Sequence, residues 1–161
     1  MQKVFSVGII VPSFLSSQMV YYSTKYTNVL LSQSNLYDIV FFYEQLAQMH
    51  LKPLCACMNI SEIWSFSGLL VSTTIHNTIL ASKAIIPAKK VFYVWDLEWL
   101  RPGNQNYLYN IQAYRSPHIE LVARSMDHAQ VIENYCNRQV KAVIPNFQID
   151  GFINVFYKDI K

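Results

Sequence analysis

The hydrophobic positions of this chain fall into short runs divided by polar turns, and the period of those runs switches repeatedly along its length. Val4 to Val11 is an unbroken apolar, β-branched run ended by Pro12, the pattern of a strand covered on both faces. Beyond Pro12-Ser13 the period becomes helical. Met19, Tyr22, Tyr26, Val29 and Leu30 recur at helix spacing, with Ser16 and Ser17 ahead of them as candidate N-caps. Tyr37 to Tyr43 and Leu54 to Met58 predict a second and a third strand. Asn59 followed by Glu62 resembles a capping box, which opens a short helix through Ile63, Trp64 and Phe66 that Gly68 closes.

The alternation continues to the end. Leu69 to Ser72 reads as a strand, and Thr73 or Thr74 caps a helix carrying Ile75, Ile79 and Leu80. Val91 to Trp95 is the next strand, followed by a turn at Pro102-Gly103 and a helix with Leu108, Ile111 and Arg115 on one side. After the strand Ile119 to Ala123, Ser125 caps a helix with Asp127 in its first turn, where negative charge suits the helix dipole, and with Ile132, Tyr135 and Cys136 as its buried stripe. Val140 to Ile144 is the last strand, and Gly151 to Tyr157 adds a further strand or helix. Strands alternating with helices over short connections require crossovers, so the expected fold is an α/β, Rossmann-like three-layer sandwich with a mainly parallel sheet of about six to seven strands.

Composition narrows the class. The chain has 161 residues, of which 52% are hydrophobic and 14% charged, enough for one domain with a real core (1–161) and far from a disordered composition. Every apolar stretch is broken well short of the roughly 20 residues of a membrane span. Met1-Gln2-Lys3-Val4 runs directly into the first strand with no cleavage-site pattern, so the expected location is cytoplasmic. The net charge of +3 is spread without a Lys/Arg run, which argues against nucleic acid as a partner. Cys55 and Cys57 alternate within an apolar run and are expected to fill one buried face; with Cys136 they do not make a metal set. No dinucleotide fingerprint follows the first strand, and no P-loop, G-x-S-x-G or H-E-x-x-H occurs. The four histidines, His50, His76, His118 and His128, are scattered and read as surface or cap residues. Neither a cofactor nor a metal is expected.

In an open parallel sheet the ligand site lies at the carboxyl ends of the strands, where loops converge and helix N-termini point. The candidates there are Ser13, Glu44, Asn59 with Glu62, Thr73 with Thr74, Asp96 with Glu98, Arg124 with Ser125, and Asn146. The densest is Trp95-Asp96-Leu97-Glu98-Trp99, two carboxylates and two indoles directly after a strand. Carboxylates flanked by rings suit a sugar, whose hydroxyls need acceptors and whose C–H faces lie on aromatic planes. The same residues also read as a turn cap with two core tryptophans, and the sequence leaves both open. Arg124-Ser125 could hold a phosphate or carboxylate, or be a plain cap beside an Arg that pairs with Asp127 or Glu120. Tyr21 and Tyr22 open the first helix, Tyr22 reading as core.

The order of these segments resembles the N-terminal Rossmann-like domain of GT-B glycosyltransferases, over most of the chain. Val91 to Glu98 is similar to a strand that ends in an acidic turn in those enzymes. Arg124-Ser125 opening a helix, then Val140 to Ile144 with Pro145-Asn146, is similar to the segment that closes their N-domain. The chain also resembles short glycosyltransferase-like proteins of large tailed phages, which would place it in the host cytoplasm. In the family the N-domain holds the sugar acceptor, and a C-terminal domain binds the nucleotide-sugar. The resemblance therefore implies Asp96 and Glu98 as catalytic residues near the acceptor and Arg124 near the donor phosphates. Ser13, Asn59, Thr73, Thr74, Trp95, Ser125 and Asn146 would line the ligand cleft. It also implies a partner protein supplying the second, donor-binding half, or a homodimer across the same face. Alternatives are a sugar- or nucleotide-binding module without turnover, and a protein-interaction module whose sign would be an exposed apolar patch at the strand ends larger than monomers usually carry.

Overall fold

A computed structural model describes residues 4–15 and 17–157. Its centre is one seven-stranded sheet, β1 (Phe5–Ser13), β2 (Tyr37–Gln45), β3 (Ala56–Asn59), β4 (Gly68–Ser72), β5 (Ala88–Val94), β6 (Ile119–Ala123) and β7 (Ala142–Val143). The spatial order is β3-β2-β1-β4-β5-β6-β7, and every neighbouring pair is parallel. This is the α/β architecture the alternating pattern predicts. The helices are α1 (Gln18–Gln33), α2 (Ile75–Lys83), α3 (Tyr107–Arg115), α4 (Met126–Cys136) and α5 (Ile149–Phe156).

The two faces of the sheet are covered by different helices because side chains alternate along each strand. Val7, Ile9 and Val11 of β1 join Phe41, Val71, Val91 and Tyr93 in a core closed by Met19 and Val20 of α1 and by Phe152 and Phe156 of α5. On the opposite face Phe92, Val94 and Leu121 pack on α2, α3 and α4, while Ile10, Phe42 and Leu70 meet Ile63 and Ala81. The central strands are thus buried on both faces, which is why they read as continuous apolar runs.

Local chemistry fixes the helix starts. Ser17 Oγ accepts from the Val20 amide, Thr74 Oγ1 from Asn77, Asn106 Oδ1 from Tyr109 and Ser125 Oγ from His128. Ser16, the other candidate cap of the first helix, lies outside the described residues. Asn59 Oδ1 accepts from Ser61, so the predicted cap is present, but the segment it opens is a 3-10 turn, Ile60–Ser65, with Trp64 exposed. The C-terminal segment left open between strand and helix is helix α5.

Several expected faces are rotated. In α1 the buried residues are Met19, Val20, Ser23, Thr24 and Thr27, and Val29 faces solvent. Small hydroxyl residues let the helix lie close to the sheet, and the tyrosines stand at its flank. In α3 Leu108 is exposed, because the inner face is made by Asn110, Ile111, Ala113 and Tyr114. Cys55 and Cys57 are half-buried against the first core rather than fully enclosed; β3 is an edge strand, with one side left uncovered. Burial pushes the Cys55 thiol up to about 12. Among the described residues no helix is long and apolar enough to cross a membrane.

Candidate functional site

The strand order reverses between β1 and β4: β1 leads to α1 on one face, and β4 leads to α2 on the other. A crevice at the carboxyl ends of two such strands is where open α/β sheets bind ligands. Here the crevice is largely filled by the chain itself. Phe14, next after β1, is buried in the core, and Thr73 Oγ1 donates to the Ile10 carbonyl at 2.7 Å, tying the end of β4 back to β1. Ser13 Oγ accepts from the Leu15 amide at 3.3 Å. The N-terminus of α2 is doubly occupied, by Thr74 and by Glu98, whose Oε1 accepts from the Ile75 amide at 2.9 Å.

The two carboxylates after β5 face different surroundings. Glu98 points inward, and burial pushes its carboxyl above the usual range; the Ile75 amide and the Arg101 charge only partly offset this. Asp96 points to solvent. Its Oδ1 accepts from the Leu97 amide at 2.9 Å and its Oδ2 pairs with Arg101, whose Nε lies at 3.1 Å. Partial burial works against the Asp96 charge, but the Arg101 guanidinium outweighs it and holds the carboxyl below its usual range.

Arg124, at the end of β6, makes neither of the ion pairs considered for it, with Asp127 or Glu120; its guanidinium lies over the Trp95 indole, 5.1 Å from the ring centroid. Trp95 continues an aromatic shelf, 6.1 Å from Tyr22 and 6.2 Å from Tyr93 between centroids. Tyr22 is therefore half-buried at the rim and is not a core residue. Trp99 stacks on Tyr135 at 4.0 Å, away from this shelf, and fills the space beside Tyr114.

The structure thus brings Trp95, Asp96 and Arg124 to one rim, with Ser125 beside them as the α4 cap. Ser13, Thr73 and Thr74 meet at the switch point as structural ties. Asn59 sits across β2 at the sheet edge, in the cap of the 3-10 turn. Asn146 is exposed just beyond β7 with a left-handed φ of 51°, followed by Phe147 at 55°, and the buried Phe147 ring with its amide bonded to Tyr93 Oη holds that strained pair in place. A contact the sequence did not pair is the chain Glu44, His76, Tyr109: the Glu44 carboxylate lies 3.4 Å from His76 Nε2, and Tyr109 Oη lies 2.9 Å from Nδ1. Its members come from β2, α2 and α3, so no sequence spacing could reveal it. Comparison with family models, with curated proteins and with solved structures gives no match to this chain.

Proposed function

We propose that this chain is a glycosyltransferase-like domain that takes part in sugar transfer from a nucleotide-sugar, holding part of that ligand or the acceptor sugar on the rim formed by Trp95, Asp96 and Arg124. The observation that carries the reading is the Arg124 guanidinium lying over the Trp95 indole, 5.1 Å from the ring centroid, beside the Asp96 carboxylate. An indole face suits the C–H face of a sugar or a nucleobase, Asp96 accepts from sugar hydroxyls, and the guanidinium matches a diphosphate.

In such a transfer the bond from the anomeric carbon to the donor phosphate breaks while the acceptor hydroxyl oxygen bonds to that carbon, and the departing diphosphate carries the charge that Arg124 would stabilise. Asp96, held below its usual range, is a weak base, so its part is to orient a hydroxyl. Glu98 is spent on the α2 N-terminus and acts as a positioning residue for the turn. The hydroxyl proton would go to a group supplied with the second half of the site, by a partner protein or a second copy of this chain.

Titration of the domain with a panel of nucleotide-sugars, alongside Arg124→Ala and Asp96→Ala, tests this. Saturable binding lost in both variants supports the reading; binding indifferent to both, or no binding by any donor alone or with free sugars, overturns it.

A second reading has its own observation. Leu15, Leu46, Leu100 and Met126, in the segments that follow β1, β2, β5 and β6, are 61%, 71%, 67% and 72% exposed. Exposed large apolar side chains after four of the parallel strands support a protein-interaction module, and sedimentation of the isolated chain distinguishes a self-associating face from a monomer.

A further inference from the structure

We propose that Tyr109 is a nucleophile, its phenol primed by His76 and Glu44 to take the acyl group of a small, neutral, activated ester. The three side chains come from separate elements and meet at the carboxyl rim of the sheet. Glu44 stands at the end of β2, His76 in the first turn of α2 and Tyr109 in the first turn of α3. Glu44 shares its face of β2 with Phe42, which packs on the α2 side, and alternates with Tyr43, which packs on the α1 side. Thr74 and Asn106 cap the two helices, which fixes the backbone under His76 and Tyr109. The Trp95 shelf lies on the α1 side, against Tyr22, so this site stands apart from the one proposed for sugar transfer.

The partners set the direction of the proton. A carboxylate only accepts, so His76 Nε2, 3.4 Å from Glu44 Oε1, is the nitrogen assigned the hydrogen of the neutral ring. Nδ1 is then an acceptor, and Tyr109 Oη, 2.9 Å away, donates to it. A hydroxyl held on a base that a carboxylate in turn orients is the arrangement that activates a weak nucleophile. The Glu44 contact is long at rest, and it tightens as positive charge develops on the ring. The His76 side chain is 65% exposed, so a small molecule reaches the site from solvent. A carboxylate on the same imidazole repels phosphate and carboxylate substrates, which leaves a neutral carbonyl as the electrophile. In the step, Tyr109 Oη bonds to the ester carbonyl carbon and the bond from that carbon to the leaving oxygen breaks. The phenol proton passes to His76 Nδ1, Glu44 stabilises the imidazolium, and the proton then goes to the departing alcohol.

Treatment of the full chain with p-nitrophenyl acetate near neutral pH, with the acetylated residues mapped and timed by peptide mass spectrometry, tests the site. Tyr21 and Tyr107, 48% and 46% exposed, are the internal controls for simple exposure. The expected result is acetylation of Tyr109 at least about 10-fold faster than of either, the low end of what a positioned base supplies. His76→Gln keeps a hydrogen-bonding side chain without a base, and Glu44→Gln keeps the shape without the charge. Each is expected to slow Tyr109 acetylation at least about 10-fold while leaving Tyr21 and Tyr107 unchanged. Both positions reach solvent, so neither change disturbs the core. The proposal is overturned if the three tyrosines react at similar rates, if the acetyl group is found on His76 and not on Tyr109, or if either variant leaves the Tyr109 rate unchanged.

Discussion

The carboxylate of Glu98 sits 2.9 Å from the backbone nitrogen of Ile75 and so supplies, from the end of β5, the negative group that the first turn of α2 would otherwise seek elsewhere. Helix α2 has no acidic residue of its own in that turn. A carboxylate from another loop meets the free amide and the positive end of the helix dipole together. It also takes up one of the amides that a helix N-terminus would otherwise leave free for an anion.

Burial sets how Glu98 responds to change. Its folded-state pKa lies above the unfolded value, so its favourable contribution is complete below about pH 4.3 and declines as pH rises through the folded pKa. Glu98→Gln keeps an acceptor for Ile75 and removes the buried charge. It should leave stability at pH 7 unchanged or improved, whereas Glu98→Ala should lose about 1 kcal/mol, as an N-cap deletion does. Urea denaturation of the three proteins at pH 4 and pH 7 measures both.

Asp96 and Arg101 make an exposed pair, so its stabilisation is small, under about 1 kcal/mol. Because the Asp96 carboxyl is held below its usual range, that contribution is present above about pH 3.9 and is lost only as pH falls through the folded pKa. Asp96→Asn should therefore leave the thermal midpoint at pH 7 nearly unchanged while weakening sugar binding. Calorimetry for the first and titration for the second separate the two roles.

Tyr93 has the opposite character. Its phenol, buried at the centre of the sheet, donates to the Ile144 carbonyl at 2.7 Å and accepts from the Phe147 amide at 3.1 Å. Burial pushes its pKa up to about 12, so its contribution is complete below about pH 10, the unfolded value, and is lost as pH rises toward 12. Tyr93→Phe should cost about 1 to 3 kcal/mol by leaving buried backbone groups unpaired, and the variant should lose this part of the alkaline destabilisation. Denaturant midpoints at pH 8 and pH 11 give both values.

Arg138 clamps the C-terminus of α3 to the start of β6. Nη1 donates to the Tyr114 and Ser116 carbonyls at 2.7 and 2.8 Å, and Nη2 to the Ile119 carbonyl at 2.8 Å. A lysine offers no planar fork to span these acceptors. Arg138→Lys should destabilise by about 1 to 3 kcal/mol despite keeping the charge, which a thermal melt detects.

The sheet was legible because strands covered on both faces leave runs that no helix period explains, and Val4 to Val11, Leu69 to Ser72 and Ile119 to Ala123 stand within two residues of their observed bounds. The ends of the sheet were less so. Val140 to Ile144 shrinks to a two-residue strand, since β7 has a neighbour on one side only. Caps at Ser17, Thr74 and Ser125 were readable because they act within three residues. The partners of Asp96, Glu98 and Arg124 were hidden, as they depend on how separate loops fold over the rim.

Strand β1 lies inside the sheet, flanked by β2 and by β4, although β4 is made only after β2, β3 and their connections. At roughly 5 to 20 residues per second, ribosomal synthesis leaves one edge of β1 bare for about 3 to 12 seconds after it emerges. During that interval a row of unpaired amides and carbonyls flanked by Val7, Ile9 and Ile10 is open to another chain, so the nascent first half is the form of this protein most prone to aggregate.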